Sequence, residues 1–124
     1  MPVIHAADAV VHDLHGARFT SYASSAAGSK ELGVWRLDLP EPGAGIPHRI
    51  SREEVFVLVD GDVRVTIDGE SHTLRAGDAA VAPAGSMLSL DNLGPGPATA
   101  WVSTSLGLEA QLADGSRISP PWAN

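Results

Sequence analysis

Cysteine is absent from the 124 residues. That excludes disulfides, a thiol nucleophile, iron–sulfur clusters and thiolate zinc sites together, and it suits a reducing compartment. Basic residues are scarce, with eight Lys and Arg against fifteen Asp and Glu, a formal charge of −7. Such a surface repels phosphate backbones and no basic run offsets it, so nucleic acid is not an expected partner. Long apolar runs are missing, and none approaches the roughly 20 residues of a bilayer span. The opening MPVIHAADAV has neither a basic start nor an apolar stretch of signal length. The expectation is a soluble, cytoplasmic protein with no membrane partner. Helical periodicity is scarce too, since no segment keeps an apolar stripe at i, i+3, i+4 and i+7 over three turns. The best helical candidate is a short stretch around His5–Val11.

What is present is punctuation. Thirteen Gly and nine Pro are spread along the chain and cut it into short segments, the pattern of an all-β barrel or sandwich. The expected strands are Ala17–Ser24, Glu31–Leu39, Glu54–Val59, Asp62–Ile67, Glu70–Arg75, Ala79–Ala82, Met87–Asn92, Ala98–Ser105 and Leu108–Leu112. Val63, Val65 and Ile67 alternate with Arg64 and Thr66, which describes a half-buried strand. Asp60-Gly61 and Asp68-Gly69 mark reversals on either side of it. No linker or repeat divides the chain, so residues 1–124 are expected to form one domain. It would have an irregular N-terminal segment, 1–16, and a Pro-rich tail, 115–124, in which Trp122 pins the tail to the barrel or to a second subunit.

Two stretches then resemble the motifs of the small single-domain cupins. The first family motif is Gly, His-x-His, three or four residues, Glu, six residues and Gly. Here it reads His48-Arg49-Ile50, Ser51-Arg52-Glu53, Glu54, Val55–Asp60 and Gly61. The second is Gly, five residues, Pro-x-Gly, two residues, His, three residues and Asn. Here it reads Gly77, Asp78–Ala82, Pro83-Ala84-Gly85, Ser86-Met87, Leu88, Ser89–Asp91 and Asn92. The resemblance implies a double-stranded β-helix, a jelly-roll cupin barrel. It also implies a three-His, one-Glu metal set inside the barrel, of which this chain keeps His48 and Glu54 and has Ile50 and Leu88 at the other places. Two ligands of four leave too many positions for water, so no metal cofactor is expected. The alternative is a metal-dependent cupin oxygenase or isomerase with a rearranged ligand set, a divalent transition metal being held by His48 and Glu54 with His72 as third ligand, the facing of His72 being open.

The residues themselves describe an apolar cavity around one imidazole and one carboxylate. Spacing by two gives His48 and Ile50 one face, Glu54, Phe56 and Leu58 another, and Ser86, Leu88 and Leu90 a third. Trp35, Phe19 and Tyr22 complete the expected substrate pocket, with Tyr22 at its mouth and Ser86 as a polar donor. A buried carboxylate is costly unless paired, so a His48–Glu54 pair is the expected resolution. Such a pair has three readings: acid–base isomerisation, cyclisation or dehydration of a carbonyl compound; ligand binding without chemistry; or a structural remnant. Glu53 is read as a surface charge, with Arg49 and Arg52 pairing it at the rim. Met87 is expected outside, Trp101 in the core or a dimer interface, and Asn92 at a turn. His5, His12 and His15 match no compact ligand set. The expected partners are a small organic molecule and a second copy in a homodimer built from Phe19, Tyr22 and Pro120-Pro121-Trp122.

Overall fold

The computed structural model describes residues 3–124, so Met1 and Pro2 of the N-terminal segment lie outside the described residues. Among the described residues twelve strands follow one another: β1 (Val10–Leu14), β2 (Ala17–Ala23), β3 (Leu32–Leu39), β4 (His48–Ile50), β5 (Glu54–Asp60), β6 (Asp62–Ile67), β7 (Glu70–Arg75), β8 (Ala79–Ala82), β9 (Met87–Asn92), β10 (Ala98–Ser105), β11 (Ala110–Leu112) and β12 (Arg117–Ile118). They form two antiparallel six-stranded sheets, in the orders β1-β2-β3-β10-β5-β8 and β12-β11-β4-β9-β6-β7. The all-β jelly-roll expectation therefore stands.

Alternation sets which side chains enter the barrel. Trp35 and Leu37 of β3, Phe56 and Leu58 of β5 and Val102 of β10 are buried from one sheet, and Ile50, Val63, Val65 and Leu88 from the other. One end of the sandwich is filled by Leu58, Val63, Leu74, Ala98 and Ala100. The other end is held open, and it contains the site.

Three expectations change. The N-terminal segment is not irregular, since Val10–Leu14 pairs antiparallel with β2 from Val10↔Ser21 to Leu14↔Ala17. Its reversal is His15-Gly16, both at positive φ (50° and 78°), the backbone that a two-residue hairpin of type I′ demands. Asp68-Gly69 does the same between β6 and β7 (50° and 82°). A His-Gly pair is a weaker signal than Asp-Gly, so the first hairpin escapes a reading by turn dipeptides. The candidate helix shrinks to one 3-10 turn at Ala6–Asp8 with no buried residue. The Pro-rich tail supplies the two-residue edge strand β12, which ends before Pro120-Pro121, and then a 3-10 turn over Pro121–Ala123 that buries Trp122.

Candidate functional site

The open end encloses a cavity of about 600 Å³. Phe19, Trp35, Leu37, Glu54 and Phe56 line it from the first sheet, and His48, Leu88, Leu90, Leu112 and Ile118 from the second. The His15-Gly16 turn, the segment 40–46 and Pro120 and Trp122 close the sides. No Lys or Arg is among the lining residues.

Glu54 opens β5 and, with Phe56 and Leu58, takes the inward positions of that strand. It is 4 % exposed, and its Oε2 has no hydrogen-bond partner. Its cross-strand neighbours are Ala82 and Thr104. The Thr104 hydroxyl donates to the Glu53 carbonyl (2.6 Å) and so leaves the carboxyl group alone. Burial without a compensating charge pushes the Glu54 carboxyl from an ordinary 4.5 up to about 8. At neutral pH it is a protonated acid with a proton to donate. The Trp35 indole N–H, on the same inner face, is equally sealed and unpartnered.

His48 starts β4 on the opposite sheet. Its Nδ1 lies 2.9 Å from the Ile46 carbonyl oxygen. A carbonyl only accepts, so Nδ1 carries the proton and the neutral ring keeps its lone pair on Nε2. The expected His48–Glu54 pair is not formed: no hydrogen bond or ion pair joins the two, which enter the cavity from opposite sheets, and the Glu54 Oε2 has no partner. Two groups of different character thus line one cavity: an imidazole that accepts and a neutral carboxylic acid that donates.

The other site residues divide. Trp35, Phe56, Leu88, Leu90 and Phe19 line the cavity. Ile50 is wholly buried in the core and is not among the residues that line the cavity. Ser86 is also off the wall: it donates to the Pro83 carbonyl (2.6 Å) and serves the turn before β9. Tyr22 is turned away by the irregularity between Ser21 and Ala23 and packs edge-on against Trp101 (5.2 Å), which is itself exposed and not core. His72 faces solvent on β7 beside Glu70 (3.3 Å), so it cannot complete a metal set within the barrel. Arg49 donates to the Gly85 carbonyl and Arg52 to Ser105, so neither pairs with Glu53.

The sequence reading missed the mouth. Segment 40–46 is fixed from β9, where the Asn92 amide donates to the Leu39, Glu41 and Gly96 carbonyls (3.1, 3.2 and 3.1 Å) and accepts from the Gly94 N–H (2.9 Å). Asp91 accepts from the Gly45 N–H (2.9 Å) and is held by Arg64 (3.0 Å). A Cβ on Gly45 would collide with the Leu90 carbonyl oxygen, so glycine is required there. The signal was Asn92 followed by Gly94-Pro95, with Pro40, Pro42 and Pro47 around two glycines upstream.

The Cupin domain family matches residues 36–104, more than half of the chain. The chain belongs to the cupin family. Solved structures agree in fold. An RmlC-like cupin from Shewanella frigidimarina is 19 % identical, with TM-score 0.69 over 82 % of this chain and 86 % of that one. The polyketide cyclase RemF from Streptomyces resistomycificus is 13 % identical, with TM-score 0.74 over 85 % and 79 %. A sugar phosphate isomerase of the cupin superfamily from Silicibacter pomeroyi is 24 % identical, with TM-score 0.65 over 84 % and 76 %. No curated protein sequence matches the chain.

The metal associated with cupins does not fit the donors present. Among the described residues no group of three His, Asp or Glu side chains stands together as a metal site. Across from His48 the register places Leu88, and Ile50 follows on the same strand, both apolar and sealed. This cupin has a cavity without an intact metal-binding cluster.

Proposed function

We propose that this cupin binds a small, largely apolar carbonyl compound in its cavity. Without a metal, it catalyses the proton transfers of an isomerisation, cyclisation or dehydration. The observation that carries the reading is the buried, unpartnered Glu54, held neutral inside an apolar cavity that also presents the free Nε2 of His48. Glu54 acts as general acid on the carbonyl oxygen and His48 as general base on the adjacent carbon, two groups whose environments have separated their roles. The apolar wall desolvates the reacting carbonyl, so the Glu54 proton is shared with it and not with water. RemF, a polyketide cyclase of like fold, gives the carbonyl class a precedent. A phosphorylated sugar finds no Lys or Arg on the wall to hold it. Ile50 and Leu88 occupy the two lost ligand positions. The protein acts as one barrel domain, paired as a homodimer in the cytoplasm.

Enolisation is the step common to all three reactions, so the test is α-proton exchange. In deuterium oxide, 1-tetralone or a related bicyclic ketone should lose α-protons in the presence of the wild-type protein. Glu54→Gln and His48→Ala should each slow this by about 10²–10⁴. The rate should fall above a pD near that of Glu54 ionisation. Exchange no faster than buffer across a panel of ketones, or exchange untouched by either substitution, would reject the proposal. Metal independence has its own check. Protein purified without a histidine tag should hold far less than one divalent ion per chain by elemental analysis. Ile50→His combined with Leu88→His should gain stoichiometric binding, since Leu88 faces His48 directly and Ile50 shares its face.

A further inference from the structure

The fold satisfies its buried polar side chains almost without exception. Ser21, Ser86 and Thr104 donate to the carbonyls of Trp122, Pro83 and Glu53. Ser24 accepts from the Ala27 N–H, and the Asn92 amide has four partners. Among the described residues two atoms stand apart, Trp35 Nε1 and Glu54 Oε2, sealed and without a partner. Both belong to side chains on the wall of the same cavity. Burial strips water from such groups and the fold offers nothing in exchange, so a pair of orphans in one cavity points to a partner carried in by a ligand.

The register puts the two on neighbouring rows of the inner face of the first sheet. Glu54 of β5 lies across from Thr104 of β10, and Thr104 across from Gly33 of β3. The next inner row is Phe56, Val102 and Trp35. Two strand spacings of about 4.8 Å and two residues of about 3.3 Å put the Cα atoms of Trp35 and Glu54 roughly 12 Å apart. Two long side chains with one ligand atom between their tips span that distance. What intervenes is small: Gly33 has no side chain, Val102 is short, and the Thr104 hydroxyl is spent on the Glu53 carbonyl. Packing does not ask for the nitrogen either. Phenylalanine in place of Trp35 would give the wall an aromatic face with no donor to satisfy, whereas a buried indole usually finds an acceptor.

We propose that Trp35 is the second donor of this site, its indole N–H and the Glu54 O–H converging on one carbonyl oxygen of the ligand. The inference rests on the carbonyl reading above and adds the group that selects the oxygen. A carbonyl oxygen has two lone pairs and takes both donors. An ammonium group brings only donors and an alkyl group neither, so each leaves Trp35 and Glu54 unpaired, and a site with buried polar groups rejects such ligands strongly. In enolisation His48 Nε2 removes the α-proton, the C–H pair becomes the C=C bond, the carbonyl π pair moves to oxygen, and oxygen takes the Glu54 proton. Trp35 keeps its own proton throughout and holds the oxygen as its charge grows, the contribution of an oxyanion-hole donor. Ketonisation reverses these transfers and restores both groups.

The indole N–H signals of the ¹⁵N-labelled full chain test this. The tryptophans are Trp35, Trp101 and Trp122, and Trp101→Phe and Trp122→Phe assign the Trp35 signal by elimination, whatever Trp35→Phe does to folding. The probes are 1-tetralone and tetralin, one shape with and without the carbonyl. The expected result is a downfield shift of the Trp35 proton with 1-tetralone and not with tetralin. Trp35→Phe, checked by thermal melts, should bind 1-tetralone about tenfold more weakly and tetralin unchanged. It should also slow α-proton exchange by about 10²-fold. A Trp35 proton that answers both probes alike, or a folded Trp35→Phe with wild-type exchange and wild-type 1-tetralone affinity, rejects the second donor. Wild-type exchange that persists in that case keeps the Glu54–His48 reading, and its absence rejects that reading as well. A carbonyl-specific shift without exchange keeps the donor and rejects the chemistry.

Discussion

A carboxyl group whose Oε2 is sealed without a partner resists ionisation, and in Glu54 that resistance ties the stability of the fold to pH. Its pKa stands at about 8 in the native state against 4.5 ordinarily, so between those values the native protein binds a proton that the unfolded chain releases. The contribution of Glu54 to stability is therefore full below pH 4.5, is lost as pH rises, and levels off above 8. At about 1.4 kcal/mol per pKa unit the loss is on the order of a few kcal/mol. Urea unfolding at pH 5 and pH 8.5 should show the wild type losing that much, and Glu54→Gln should be flat over the same interval. A wild type with no such slope would mean that a partner reaches Glu54 in solution. Glu54 was legible as an inward residue because a period of two leaves no choice once Phe56 and Leu58 are placed. Its isolation was not. Whether His48 reaches it depends on the separation of two sheets and on the Ile46 carbonyl, and neither has a signature in the spacing of the two residues.

At the scale of elements, the strands with clean alternation and Asp-Gly turns were readable, and those without them were not. Val10–Leu14 becomes a strand because Ala17–Ala23 offers it an edge, a decision made by tertiary pairing and invisible in its own composition. His48–Ile50 is only three residues long, held between β9 and β11, too short to declare a period. The mouth is likewise a product of contacts distant in sequence, and it makes a firm prediction. Asn92 is buried, and its one side chain satisfies carbonyls from Leu39, Glu41 and Gly96. Asn92→Ala strands those carbonyls and should cost about 1–3 kcal/mol in chemical denaturation. Because segment 40–46 walls the cavity, the same variant should weaken ketone binding well beyond its loss of stability at temperatures where it remains folded. Asn92→Ala with native ligand affinity would show that the segment holds its place without the anchor.

For the molecule as a whole, residues 117–124 close the barrel. Arg117 and Ile118 extend the second sheet as β12, and the chain then crosses to the first, where the Trp122 indole stacks on Phe19 at 3.8 Å and 13°. The Ser21 hydroxyl donates to the Trp122 carbonyl (3.3 Å). Asn124 donates to the Leu108 and Pro120 carbonyls and accepts from the Gly107 N–H. These bonds clamp the tail to β2 and to the segment leading into β11 beside the cavity, where Trp122 and Ala123 also join the buried core. Trp122 is both a wall of the cavity and the largest apolar group in the clamp. Trp122→Ala should cost about 3–5 kcal/mol, the usual consequence of removing a buried aromatic side chain. Trp122→Phe keeps an aromatic face toward Phe19 and should cost much less. Ligand should also rescue them unequally. A ketone at a hundred times its Kd adds about 2.7 kcal/mol to a protein with an intact site, so the melting shift should survive in Trp122→Phe and collapse in Trp122→Ala. An alanine variant that loses under about 1 kcal/mol, or that keeps the full ligand shift, would show that the two sheets hold together without the clamp and that the cavity does not need this wall.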